Sequence, residues 1–418
     1  MSFKEKLMFY LPQLILVCCI LLFLTPIIPR GIRPVIVVIL LIGSILSYYN
    51  AKQPFRWSNF LLNSSLIFIY AISLIYTEDV EYGIRKISTA STLLIFPLIF
   101  SFMSKRCIRY ILDKRYMLMW LFIVATVLLC IGAFLKFMTH YSFNDSILHY
   151  PNIIRSDLGG WKIHPIYLSM HIGVSVIFSL VIFNKGVNWK RLLCLILLDI
   201  ILIIFLMIMI KKGPIIALIL GIAFLTLVFK NKKLFIISGL VAAVIICTIA
   251  VNPKVQSRFA ELLQVQNAKD DITSSTNIRY SIYQCAFDML PDAGLIGYGI
   301  GDGKNVLIEC FQEQAAFLAS HKYNSHNQYL GLVLNVGYLG LILFVVFLLY
   351  HMIRAFSRKN YLLIAVVLFY CMVMFSENIL ERENGVWFFA LFVNLFIMLD
   401  WNLTKIDKEP TSIDKLIK

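Results

Sequence analysis

Leu192-Leu-Cys-Leu-Ile-Leu-Leu-Asp-Ile-Ile-Leu-Ile-Ile-Phe-Leu-Met-Ile-Met-Ile210 carries one charged side chain, Asp199, in nineteen residues. A helix needs roughly 20 apolar residues to cross a bilayer's hydrocarbon. Runs of this kind recur along all 418 residues, and the composition follows from them: 60% hydrophobic, 15% charged, mean hydropathy +0.82. A soluble domain has about 45–50% apolar and about 25% charged residues. A soluble enzyme, a disordered chain, a fibre, a small disulfide scaffold and a soluble domain on a single anchor are all excluded. The runs are too long and continuous for barrel strands, which alternate over about ten residues. The expected fold is an all-α polytopic membrane protein.

Twelve runs qualify: Leu7–Ile28, Pro34–Tyr49, Ser58–Tyr76, Ile87–Phe102, Tyr116–Met138, Pro165–Phe183, Leu192–Ile210, Gly213–Phe229, Leu234–Val251, Tyr329–Tyr350, Tyr361–Phe375 and Gly385–Trp401. The first is long, lacks a small-residue cleavage site and is followed at once by another, so it reads as a retained helix. Nine spans thus fill residues 1–251, a long loop fills 252–328, three more spans fill 329–401, and a polar tail covers 402–418.

Twelve spans put both termini on one side. That side holds 22 of the 38 Lys and Arg, in the termini and in the loops near Lys52, Lys105, Lys185, Lys230 and Arg354. The other side holds 16 Lys and Arg and 16 acids. The positive-inside trend makes the first side cytoplasmic. The net charge of +15 therefore calls for no nucleic-acid partner.

The unusual features fall on the outer side. Loops longer than about 12–15 residues are usually functional or disordered, and 252–328 has internal pattern. Lys254–Gln266 places Val255, Phe259, Leu262 and Leu263 on one helical face. A polar stretch, Asn267–Asn277, reads as a flexible loop. Asn277–Leu290 is an amphipathic helix, capped by Ser275 or Thr276 and stopped by Pro291. A glycine run, Gly294–Gly303, and a helical stretch, Lys304–Ala319, lead to His321-Lys-Tyr-Asn-Ser-His-Asn-Gln-Tyr-Leu330. No strand precedes the glycines, so they are no dinucleotide fingerprint but a tight turn between surface helices.

Lys211-Lys212-Gly213-Pro214 is the shortest outer loop. Two cations with no acid beside them break the charge trend. Either they snorkel to lipid phosphates, or they form an anion site with the N–H groups of the helix that Gly213 and Pro214 open. His326 is the side chain best suited to proton transfer near neutral pH, with His321 as its alternative.

Together these pieces resemble the O-antigen ligase and polymerase family of bacterial envelope glycosyltransferases. The resemblance rests on Lys212-Gly213 opening a span, Asn277-Ile-Arg279-Tyr280, and Pro291-x-x-Gly-Leu-Ile-Gly-Tyr-Gly-Ile-Gly301. His326-Asn-Gln-Tyr-Leu330 and Gly337-Tyr-Leu-Gly340 complete it. It implies a fold like that of GT-C enzymes and glycan transfer in lipopolysaccharide biosynthesis, at the periplasmic face of the inner membrane. The donor would be a glycan on undecaprenyl or another polyprenyl pyrophosphate. The acceptor would be a sugar hydroxyl of lipid A–core or of a growing chain. Family members need no metal, nucleotide or other cofactor. Their functional residues map onto Lys212, where Arg is usual, Arg279 and His326. Membrane lipids would be the remaining partners.

The chemistry is coherent with that resemblance. A pyrophosphate leaving group needs its charge offset, and Arg279, Lys212 and Lys211 are the candidates, with Arg155 and Arg382 in reserve. His326 suits deprotonation of the acceptor hydroxyl. Asp270-Asp271 reads as solvated, Glu78 and Asp79 as partners of Arg85 and Lys86, and Glu377 and Glu381 as partners of Arg382 or as orienting groups. His164 reads as structural or acceptor-binding. Cys285 and Cys310 are the two cysteines of the long loop and can pair in an oxidising compartment. A polymerase with the same donor class is the nearest alternative. A lipid-linked glycan transporter is the alternative of another class, although no two related halves are visible.

Overall fold

The computed structural model describes residues 3–263, 274–314 and 316–406. The polar stretch around Asp270-Asp271 and the tail from residue 407 lie outside the described residues. Helices and short connections account for everything described, without a strand. Eight helices are long and apolar enough, by length and composition, to cross a membrane: Arg30–Ala51, Val80–Phe102, Arg115–Met138, Pro165–Lys185, Trp189–Met209, Lys212–Phe229, Lys232–Val251 and Gln328–Ser357. Three shorter apolar helices, Phe9–Phe23, Tyr361–Met374 and Glu383–Leu399, accompany them. The expected third span is two short helices, Trp57–Asn63 and Ser65–Ser73, broken at Ser64.

Pro165–Lys185 is the central helix. Nearly all of it is buried, and it packs on Arg115–Met138, Trp189–Met209, Lys212–Phe229 and Tyr361–Met374. Small residues permit this, as they do between helices in lipid. A Cβ at Gly173 would lie 2.3 Å from the Phe369 ring. Phe178, Phe23, Phe122 and Phe392 interlock beside it in mostly edge-on pairs.

The two sets of loops separate to opposite ends. At one end Trp161 donates to the Ile27 carbonyl, Lys86 meets Glu381, and Lys136 donates to Asp157 O. At the other end Arg56 donates to Phe100 O, Asn231 to Asn184, and Lys185 stands over the Tyr116 ring.

The long loop is compact where it is described. Its first helix is Pro253–Ala260, shorter than expected: Val255 is buried, but Leu263 is exposed. The amphipathic helix is Ser275–Ala293, capped by Ser274 rather than by Ser275 or Thr276. Pro291 does not stop it, because the chain turns only at Gly294, whose φ is +53°. A disulfide joins Cys285 to Cys310 on the next helix, Gly303–Gln314.

The glycine run is more than a turn. Gln328–Ser357 is interrupted at Val336 and Gly337, where the backbone leaves helical geometry. The carbonyls freed there, Leu334 O and Asn335 O, accept from Tyr298 N and Gly299 N. The freed N–H groups of Tyr338 and Leu339 donate to Gly294 O and Leu295 O. A Cβ on Gly297 would lie 2.5 Å from Gly337 N, so only glycine permits the approach. Buried backbone groups must be paired, and this run pairs the ones the break exposes.

Candidate active site

A cleft of about 820 Å³ opens at the end that carries the long loop. Its polar part gathers Lys211, Lys212, Arg258 and Arg279, together with Thr276 and Tyr283. Its walls are apolar, among them Leu148, Ile208, Ile216, Leu262, Ile278 and Phe375. Several of these also face outward: Leu148, Ile216, Leu262 and Phe375 are exposed.

Three elements set the four cations. Lys211 caps the start of the Lys212–Phe229 helix and provides no side-chain cap hydrogen bond. Gly213 lies so close to the loop after Tyr361–Met374 that a Cβ would meet Ser376 Oγ at 2.2 Å. Arg279 projects from the first turns of Ser275–Ala293, and Arg258 from Pro253–Ala260.

Their pairing differs. Lys212 is not without an acid, as its neighbours in sequence imply: its Nζ lies 2.8 Å from Glu261 Oε2 and 2.8 Å from Thr276 Oγ1. Glu261 also holds Arg258, at 3.2 Å. Lys211 makes no side-chain hydrogen bond or ion pair among the described residues. Burial and then the charges of Arg279 and Arg258 push its ammonium below the usual lysine value. Arg279 makes one long hydrogen bond, 3.5 Å to Ser275 O, and its Nε is buried without a partner. Lys211 and Arg279 therefore keep hydrogen-bonding capacity that nothing among the described residues uses.

Beside the cleft stands His326. Its backbone is left-handed, φ +42°, because the next residue, Asn327, must cap Gln328–Ser357. Its Nδ1 lies 3.4 Å from Glu377 Oε2. Tyr167 OH donates to Glu377 Oε1 at 3.5 Å. A carboxylate only accepts, so Nδ1 carries a proton, and in the neutral ring Nε2 presents the lone pair. Burial alone would raise Glu377, but His326, Arg279 and His164 outweigh it and hold the carboxyl below the ordinary range. Tyr283 OH donates to Phe375 O at 2.7 Å, with His326 O at 3.2 Å. It links the cleft's helix to both loops that carry the pair.

Three readings of the sequence change, and His164 takes the structural one of its two. Glu377 and Glu381 do not pair with Arg382, which is exposed; Glu377 turns to His326, and Glu381 to Lys86 at 3.4 Å. Nor do Glu78 and Asp79 pair with Arg85 and Lys86. Their N–H groups donate to the Asp302 carboxylate, while Arg85 meets Glu81 on the surface. His321 is exposed and bonds locally to Phe317 O and Ser320, away from the cleft. His164 caps the central helix through Nδ1. Burial lowers it to about 4, with Lys211, Arg155 and Arg382 acting against the pull of Glu377.

The loop that carries Glu377 is fixed to the loop that carries His326. Asn378 Nδ2 donates to Ser325 Oγ at 2.8 Å and to Glu381 Oε1 at 3.1 Å. Asn335 bridges Lys86 and Glu381 at 3.1 and 3.2 Å. Leu380 N donates to Gln328 Oε1.

Arg258, Glu261, Tyr283 and Tyr167 were missed by sequence reasoning. So was the amphipathic helix Phe143–Ser156, which supplies one wall of the cleft. Its signal was present: Ser142 caps it and bonds Asp145, three residues on.

The model of the O-antigen ligase family matches residues 197–345. The matched segment contains Lys211, Lys212, Arg258, Arg279 and His326; Tyr167, His164 and Glu377 lie outside it. No curated protein matches the chain. The helices and the match describe a multi-pass membrane protein similar to O-antigen ligases, and they support an enzyme of that general kind.

Proposed function

We propose that the protein transfers a glycan from a polyprenyl pyrophosphate to a sugar hydroxyl, as a ligase acting on lipid A–core, at the periplasmic face of the inner membrane with both termini cytoplasmic. One observation carries this reading. An apolar-walled cleft holds two cations whose hydrogen-bonding capacity is unused among the described residues, beside a histidine–carboxylate pair. Such a cleft suits an amphiphile with an anionic head and a hydrocarbon tail. The disulfide in the same loop agrees with an oxidising compartment.

In the proposed step the acceptor oxygen bonds to the anomeric carbon while the carbon's bond to the pyrophosphate oxygen breaks. The hydroxyl proton passes to His326 Nε2. The electron pair of the broken bond stays on the pyrophosphate, where Arg279 and Lys211 stabilise it. Glu377 keeps His326 in the useful tautomer and stabilises the imidazolium, as the acid of a catalytic triad does. Displacement in one step inverts the anomeric centre. Glu377 is engaged by His326 and Tyr167, which suits an orienting group rather than a nucleophile of a two-step route.

The test is transfer by the purified full-length protein from a polyprenyl-pyrophosphate glycan, with chelator present. Activity is expected to persist in chelator, and His326→Ala is expected to lower it by about 10²–10⁴-fold. Activity that returns only with a divalent ion would overturn the cationic mechanism. Deletion separates ligase from polymerase: loss of a ligase strands long glycan on the carrier, whereas loss of a polymerase leaves single repeats on the acceptor.

A further inference from the structure

The end opposite the cleft carries a second cationic recess, built from different helices. A cavity of about 620 Å³ lies between the first turns of Arg115–Met138, the end of Pro165–Lys185 and the start of Trp189–Met209. Lys185, Lys190 and Arg191 line it, and no acid does. A smaller cavity of about 210 Å³ shares Tyr116 and Lys185 with it and adds Arg115, Arg358 and Lys359, again without an acid. Lys185 Nζ stands 4.1 Å from the Tyr116 ring centre and Arg115 Cζ 4.7 Å from it. Both cations thus lie within cation–π reach of one ring.

Three features point to a phosphate here. Lys190 and Arg191 sit in the first turn of a 21-residue helix that has no acid in that turn. The start of a helix is its positive end and favours anions, so two cations there add to the charge instead of offsetting it. Lys190 and Arg191 make no side-chain hydrogen bond or ion pair among the described residues. The rest of the recess is apolar: Met117, Trp120, Ile182 and Cys194 line it, and Met117, Cys194 and the neighbouring Leu193 and Leu197 are exposed. Trp189, 70% exposed at the helix start, is the kind of residue that sits at the headgroup level.

We propose that this recess binds an anionic phospholipid of the leaflet opposite the donor cleft. The phosphate lies among Lys185, Lys190 and Arg191, and the acyl chains lie along the Met117 and Cys194 side. Basic pockets between membrane helices hold anionic headgroups in this way. The proposal does not depend on the glycan-transfer reading.

Native mass spectrometry of the delipidated full-length protein in detergent tests it. The protein is titrated with phosphatidylglycerol, with phosphatidylcholine of the same chains, and with inorganic phosphate. Phosphatidylglycerol is expected to bind at least about tenfold more tightly than phosphatidylcholine. Lys190→Glu should weaken it by about fivefold or more, and Lys185→Ala/Lys190→Ala/Arg191→Ala by more than about tenfold. Lys105→Ala/Arg106→Ala/Arg109→Ala, at the same end but outside the recess, should leave it unchanged. Equal binding of the two lipids, retention by the recess variants, or an equal loss in the Lys105 variant would overturn the proposal. Displacement of the lipid by equimolar inorganic phosphate would overturn it too, making free phosphate the ligand.

Discussion

Two clusters at one end of the molecule each hold a lysine against a glutamate, and they have opposite characters. Around Lys86 the charges balance: Glu381 Oε2 meets the ammonium, Asn335 bridges both, and Asn378 donates to the same Glu381 oxygen as Asn335. Both charged side chains there are 9% exposed. Around Lys212 the cations outnumber the acid. Glu261 serves Lys212 and Arg258, while Lys211 and Arg279 meet no carboxylate among the described residues. A closed network of buried charges holds two loops in place. An open one of net positive charge, at the head of an apolar cleft, is incomplete without an anion.

The largest expected effect breaks the closed cluster. Lys86→Met should cost about 3–5 kcal/mol of stability, because it leaves Glu381 buried and unpaired. Lys86→Met/Glu381→Met should recover most of that loss, since a buried pair replaced by apolar residues is often neutral. Thermal unfolding in detergent reads both. If the single variant unfolds at the wild-type temperature, Lys86 and Glu381 are not a buried pair in the working protein.

Arg279→Ala tests the open cluster. It should lower transfer by about 10²–10³-fold, the size of a lost transition-state donor, with little change in unfolding temperature. Lys211→Ala should be the next most damaging. Lys212→Ala should act less on binding and more on the Glu261 contact. The opposite ranking would mean that the Glu261 pair opens when donor arrives. A destabilised but fully active Arg279→Ala would make that residue structural.

Glu261→Gln should produce a smaller effect of opposite sign. It frees Lys212 and Arg258 to face an anion, so pyrophosphate should bind several-fold more tightly, as expected from removing one like-charged competitor. Weaker binding would show that Glu261 positions the cations rather than competing for them.

The helices were legible because their apolar runs are long and the polar breaks between them sharp. Lys211, Lys212, Arg279 and His326 were legible because cations and a histidine stand out in the set of loops whose charges otherwise balance. Their partners were not. Lys212 and Glu261 are 49 residues apart, His326 and Glu377 are 51 apart, and Lys86 and Asn335 are 249 apart. Only the folded path of the chain decides those pairings. Sequence neighbours misled for the same reason: Arg382 follows Glu381 directly, yet successive residues in an irregular loop point different ways. The glycine run was half-read. Its glycines announced a turn, but nothing in Gly337-Tyr-Leu-Gly340 announced the break in Gln328–Ser357 that the run repairs.

The effect that is smallest at neutral pH, and grows only in acid, concerns His164. Its folded value of about 4 lies below the ordinary 6.5, so the unfolded chain binds a proton that the folded one refuses. Stability from this group is complete above pH 6.5, is lost as pH falls from 6.5 towards 4, and changes no further below that. The slope is at most about 1.4 kcal/mol per pH unit. His164→Asn removes the titration while keeping an acceptor for Ile166 N, since Asn is a favoured cap. Unfolding temperature against pH should therefore fall less steeply between 6.5 and 4 in the variant than in the wild type. Parallel curves would mean that neither burial, the main cause of the lowered value, nor the charges of Lys211, Arg155 and Arg382 keep this ring from taking up a proton.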